Sequence, residues 1–426
     1  MNALSLEIKL SSFIPRLLQW AMQFDHFAYL NPYAMNYCFG TFPHLLAVGE
    51  STLALNPTND IFQQLYQHWK ESPSWLFGHF SYDLKNRIEQ LESLNPDLTF
   101  FPEVSFFRPT YLFFLDSTAN MLKIVVFDSK TSPQQLFEKI NTHIYAQPLA
   151  PKGIVFRELV DYSTYHEKVS FIKQRIVEGD FYELNYCINF LAENAIINPI
   201  STYEKLNQLS PTPFSTLYRH RENWLLCASP ERFLKKQGEL LISQPIKGTI
   251  RRGSNAEEDA KLVAQLHNSE KERAENVMIV DLVRNDLTRS SQTGTVNVPE
   301  LFKVYTFKTV HQLISTVVGK IRPDLPFTEA IKNAFPMGSM TGAPKIKAMQ
   351  IIDKVENRKR NLFSGAVGYI SPEGDFDFNV VIRSLFYNQQ RKELAYWVGS
   401  AITYDADIKN EHEECLLKAQ AIRQLF

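Results

Sequence analysis

The order of strand-like and helix-like runs most narrows what this chain can fold into. Near its end, three apolar, β-rich runs follow one another at 363–370, 376–386 and 394–402, and a helical segment closes the chain at 410–425. Earlier, short runs at 111–115 and 122–127 alternate with turn residues, and 181–190, 225–228 and 240–242 read as further strands. Helical spacing falls between these groups. It occurs at 129–144, at 162–178 with Tyr165, Val169, Ile172 and Ile176 on one side, and at 257–289, a stretch that can be one helix or two. Strands in groups, with helices between and after them and no regular βαβ alternation, predict an α+β fold with a mainly antiparallel sheet.

A chain of 426 residues can hold two domains or one elaborate one. Pro148, Pro151 and Gly153 break regular structure, so 148–153 is the linker candidate. It separates a sheet-rich region at 1–150, dense in Phe and Tyr up to about residue 128, from a second region at 151–426.

Charge and cysteine use exclude several classes. Lys and Arg number 45 against 46 Asp and Glu, a net charge of -1, which removes the usual electrostatic case for nucleic acid or an anionic membrane as partner. Cys38, Cys187, Cys227 and Cys415 are scattered, fitting neither a disulfide framework nor a zinc site, and point to a reducing compartment. Glu7, Lys9 and Arg16 interrupt the first segment, so it lacks the apolar core of a signal peptide, and no run spans a bilayer. The expected location is the cytoplasm.

Two constellations bear chemistry. The first is Lys247 in Pro245-Ile246-Lys247-Gly248-Thr249, just after an apolar run. A lysine there is either a surface residue in a tight turn, the commoner case, or a desolvated amine whose lowered pKa makes it a nucleophile. The second is a pair of acidic helix faces. Glu272 and Glu275 stand three apart, and Glu411 and Glu414 repeat that spacing, with Lys418 four residues further on. Either pair alone reads as solvated glutamates. Together they can bring four carboxylates around one hard divalent cation, and oxygen-only ligation points to Mg²⁺.

Taken in order, Pro245 to Thr249, Glu272 and Glu275 running into Asp281-Leu282-Val283-Arg284-Asn285-Asp286, Gly338-Ser339-Met340-Thr341-Gly342-Ala343-Pro344-Lys345, Ile382-Arg383-Ser384, and Glu411 to Lys418 resemble the chorismate-utilising enzymes. The resemblance covers roughly 162–426, and 78–84 adds weaker support. It implies two large, mainly antiparallel sheets packed as a sandwich with helices outside, and makes 151–426 the catalytic, chorismate-binding region. Among the branches, the chain is most similar to aminodeoxychorismate synthase component I, which commonly carries Pro-Ile-Lys-Gly-Thr. Anthranilate synthase component I, with alanine at the position of Lys247, is the alternative. Isochorismate and salicylate synthases are less similar, because Glu183 stands where they carry a water-activating lysine and where amidating members usually carry glutamine.

The implied reaction converts chorismate and ammonia to 4-amino-4-deoxychorismate, on the route to para-aminobenzoate and folate. By the same resemblance Lys247 is the nucleophile and Glu231, in Ser229-Pro230-Glu231-Arg232, the acid/base. Tyr369 and Arg383 would hold the enolpyruvyl carboxylate, with backbone donors near Gly399, Ser400, Ala401 and Gly365. Thr249, His311, Thr341 and Lys418 would lie close to substrate or metal. Read alone, Glu231 is a salt-bridged strand-end residue, His311 a core histidine satisfied by a hydrogen bond, and Lys345 a helix-start charge. No cysteine here sits in a Gly-x-Cys-x-Gly elbow, so a separate glutamine amidotransferase subunit is expected to supply the ammonia.

Overall fold

Two antiparallel sheets organise the molecule. The computed structural model describes residues 2–33, 35–143, 151 and 154–426. One sheet has 12 strands, in the order Asn2–Glu7, Met121–Val126, Tyr111–Asp116, Leu45–Gly49, His26–Leu30, Phe214–His220, Asn223–Ser229, Ser384–Asn388, Glu393–Ile402, Glu183–Ala192 and Gly342–Ala343, with Arg157–Glu158 also on Glu183–Ala192. The other has nine, in the order Ile246–Arg251, Val310–Lys320, Leu240–Gln244, Arg232–Gln237, Phe376–Asn379, Ala366–Ile370, Leu76–Phe80 and Val104–Phe107, with Asn297–Thr306 also on Val310–Lys320. Strands from the first 126 residues therefore enter both sheets.

The inner faces meet in one core. Phe214, Tyr218, Leu225 and Cys227 of the larger sheet pack with Phe80, Leu234, Ile314 and Phe378 of the smaller. The alternate residues Leu217, Trp224, Leu226 and Ala228 point the other way, into a second core under the helices Leu10–Ala21, Tyr162–Val177, Pro199–Leu209 and Lys345–Val355. Central strands of the larger sheet are thus buried on both faces. This is why they read as continuous apolar runs rather than alternating ones.

The predicted α+β sandwich is the fold observed, with one local difference. The run at 376–386 is two strands, Phe376–Asn379 in the smaller sheet and Ser384–Asn388 in the larger. Every residue between them is apolar or at a site, so no glycine or proline marks the crossing. The stretch at 257–289 is two helices, Ala256–Asn268 and Glu270–Thr288, parted at Ser269, whose side chain accepts from the Glu272 N–H at 3.3 Å. The linker candidate at 148–153 lies, apart from Pro151, outside the described residues. Among the described residues no helix is long and apolar enough to cross a membrane.

Candidate active site

The chain crosses between the sheets at one end of the sandwich, and the crossings carry chemistry. Pro230 and Glu231 link Asn223–Ser229 of the larger sheet to Arg232–Gln237 of the smaller. The segment 380–383 makes the reverse crossing beside it, with the Val380 N–H donating to the Glu231 carbonyl at 3.0 Å and the Ala228 N–H to the Arg383 carbonyl at 3.2 Å. Arg383 takes a φ of 51°, a left-handed turn that ends the crossing and leaves its side chain on the wall of a cavity.

Lys247 enters the same cavity from a bulge. Ile246 lies opposite Ile314 and Thr249 opposite Gln312, so strand Ile246–Arg251 carries one residue more than its partner there. A bulge re-aims the side chain it contains. Gly248 holds the bulge at φ 100°, and a Cβ on it would stand 2.8 Å from Glu272 Oε2. Gly248→Ala is therefore expected to cost about 1–2 kcal/mol from backbone strain alone. A urea midpoint equal to wild type would contradict this. Asn276 braces the bulge, its amide donating to the carbonyls of Lys247 at 3.3 Å and Leu313 at 3.4 Å.

Lys247 is buried, 9% exposed, and donates to Glu183 Oε1. Here the structure departs from the lowered pKa predicted for a nucleophilic amine. Burial does pull the amine down, but the carboxylates of Glu183, Glu275 and Glu414 outweigh it, so the ammonium is held well above its ordinary value. Glu231, 4% exposed, behaves in the opposite way to an ordinary carboxylate. Burial lifts it to about 7 against the hydrogen bond from Ser339 Oγ, at 2.6 Å, and the charges of Lys247 and Arg383. Burial also lowers Arg383 to about 10, opposed by the Glu231 charge. The Arg383 guanidinium donates to no protein group among the described residues, which leaves its fork open to an anion.

The two acidic helices face each other across the opening. Glu272 and Glu275 from Glu270–Thr288 and Glu411 and Glu414 from Ile408–Lys418 all line the cavity. Burial raises Glu272, Glu275 and Glu411, with Glu275 reaching about 7. Burial pushes Glu414 up as well, but Lys418, 2.6 Å away, holds it below its usual value. The sequence did not single out Lys271, whose amine lies 3.5 Å from Glu411 and 3.9 Å from Glu275. One positive charge thus stands between carboxylates that otherwise repel. The all-oxygen donor set suits a hard cation with retained water, although among the described residues no three such side chains are drawn close enough to grip an ion as they stand.

Thr249, Arg383, Gly399, Ala401 and Lys418 line this cavity beside Lys247 and Glu231. Four other predicted residues do not. His311 is fully buried and turned away, its Nε2 2.9 Å from Asp259 and its Nδ1 2.9 Å from Thr306, so it is the hydrogen-bonded core histidine. Strand alternation puts Gln312, one residue on, at the wall instead. Ser400 likewise faces Tyr165, at 3.5 Å, between the lining residues Gly399 and Ala401. The Thr341 hydroxyl donates to the Met337 and Gly338 carbonyls, while Ser339 and Met340 reach the cavity. Tyr369 packs against Trp75 and Phe77 in the smaller sheet, ring centroids 5.5 and 6.2 Å away. Lys345 starts its helix and pairs with Asp286 at 2.6 Å. Trp397 also lines the cavity, its indole N–H without a hydrogen-bond partner among the described residues.

The sequence pattern of the chorismate binding enzyme family matches residues 33–424, and the chain belongs to that family. Aminodeoxychorismate synthase component 1 of Escherichia coli (strain K12) is 31% identical over 400 residues, 90% of this chain and 86% of its own length. An aminodeoxychorismate synthase of Streptomyces griseus is 42% identical over 269 residues, 62% of this chain; the match spans 36% of that longer relative. The crystal structure of anthranilate synthase component I from Streptococcus pneumoniae TIGR4 superposes with a TM-score of 0.74 at 25% identity, covering 99% of this chain and 92% of its own.

Proposed function

We propose that this protein replaces the 4-hydroxyl of chorismate by an amino group, giving 4-amino-4-deoxychorismate, a precursor of para-aminobenzoate and folate. The observation that carries this reading is Lys247, a buried amine in the same cavity as Glu231 and an unpaired guanidinium. One displacement at C4 would invert the centre; two restore it. The Lys247 amine attacks C2 as the C4 hydroxyl leaves with allylic shift, and ammonia then attacks C4 and expels the amine. Hydroxide leaves poorly, and a carboxyl titrating near 7 is suited to protonate it and afterwards to take a proton from the incoming ammonia. Arg383 takes a substrate carboxylate in its fork.

A magnesium ion held by Glu275 and Glu414, with Glu272 and Glu411 acting through water, would supply a Lewis acid and clamp for the ring carboxylate. Glu414→Ala is then expected to raise the Mg²⁺ concentration for half-saturation at least about tenfold. Titration calorimetry with Mg²⁺ alone checks this, and an unchanged isotherm would remove Glu414 from the ligand set.

The ammonia donor in this reading is a separate glutamine amidotransferase. The relative named component 1 supports a partner, and none of the four cysteines here lies in a glutaminase elbow. The likeness to anthranilate synthase component I favours a second reading, release of anthranilate and pyruvate. Lys247 speaks for the first. Incubation with chorismate, Mg²⁺ and ammonium followed by mass spectrometry decides: 4-amino-4-deoxychorismate is expected, and anthranilate with pyruvate would overturn the proposal.

A further inference from the structure

Glu183 is the buried group for which neither the acid/base role nor the metal ligation accounts. It opens strand Glu183–Ala192 beside the cavity, is 1% exposed, and accepts the hydrogen bond of the Lys247 ammonium on Oε1. That is the only hydrogen bond the Lys247 side chain makes among the described residues. Glu183 Oε2 has none among the described residues.

A nucleophilic lysine held as an ammonium must lose a proton to something before it can react, and the groups around it narrow the choice. Glu231 is engaged by Ser339 and is required in its protonated form for the leaving hydroxyl. Glu272, Glu275 and Glu414 act on Lys247 through space, on the acidic side of the cavity, and Lys418 is itself cationic. Among the described residues only Glu183 hydrogen-bonds Nζ.

We propose that Glu183 is a catalytic residue of this reaction, the base that takes the proton from Lys247 and returns it when the amine is expelled. The inference rests on the amination reading above. In the first step an N–H bond of the ammonium breaks and an O–H bond forms on Glu183. The free pair on Nζ then bonds to C2, both ring double bonds shift, and the C4–O bond breaks with water leaving on the Glu231 proton. In the second step ammonia bonds to C4, the C2–N bond breaks with its pair returning to Nζ, and Nζ recovers its proton from Glu183. The excess proton on the new amine goes to Glu231, so both glutamates and the lysine end as they began.

The test compares wild type with Glu183→Gln, with ammonia withheld, by the rate at which a chorismate-derived mass appears on Lys247. At pH 7 the variant is expected to form the adduct at least about tenfold more slowly, and the deficit is expected to shrink as the pH rises and bulk base deprotonates the amine. Glu183→Asp, which keeps a carboxylate, should recover part of the rate. Adduct formation by Glu183→Gln at the wild-type rate, or a deficit unchanged with pH, would overturn the role of Glu183 while leaving the amination intact. Failure of wild type to turn over chorismate with ammonium and Mg²⁺ would overturn both.

Discussion

Replacing Lys247 by alanine is expected to abolish amination of chorismate, lowering kcat/KM by at least about a thousandfold, because the other amines on the cavity wall, Lys418 and Lys271, are paired with Glu414 and Glu411. No adduct should form on the variant when ammonia is withheld. The same substitution strands Glu183, which is 1% exposed. Breaking a buried pair from one side costs roughly 3–5 kcal/mol. The double variant Lys247→Ala/Glu183→Gln should therefore be more stable than the single one and equally inactive. Equal urea midpoints for the two would show that the pair contributes no such constraint, and retained turnover in Lys247→Ala would end the covalent route.

Glu231→Gln carries the second large effect. Its carboxyl must be protonated to release the hydroxyl as water, and burial lifts it to about 7. For an acid the sign is fixed: kcat/KM is highest below pH 7 and falls tenfold per pH unit above it. The amide variant should lose roughly 10²–10⁴ in rate and also lose that alkaline limb. The limb surviving in the variant would assign the titration to another group. Because Gln keeps an acceptor for the Ser339 hydroxyl, the fold is expected to tolerate it.

Composition and periodicity carried the α+β class and the antiparallel sheets, because strand and helix segments differ in period over several residues. They did not carry the crossings. The run at 376–386 holds no glycine or proline, and only three dimensions reveal that Arg383 turns left-handed between two sheets. Spacing brought the four glutamates correctly to one cavity, since i,i+3 on a helix is a rigid relation. On strands a single residue decides which face a side chain takes, so His311 was chosen where Gln312 reaches the wall, and Ser400 was grouped with Gly399 and Ala401 although it faces away. Lys271 carried a usable signal, a cation next to Glu272, but nothing in the chain's linear order set it opposite Glu411. Glu183 was marked as a departure from family usage, and its contact with Lys247 spans 64 positions of sequence.

The interleaving of early and late strands has a consequence for synthesis. His26–Leu30 pairs early with Leu45–Gly49 but finds its second neighbour only when Phe214–His220 has been made, and Leu76–Phe80, beside Val104–Phe107, likewise waits for Ala366–Ile370 on its other edge. Until then these edges of the nascent polypeptide are open and apolar. Such long-range pairing folds slowly and invites aggregation, so production of this protein should respond strongly to holdase chaperones and to translation speed, and a piece severed near residue 150 should stay insoluble unless the remainder is supplied alongside it.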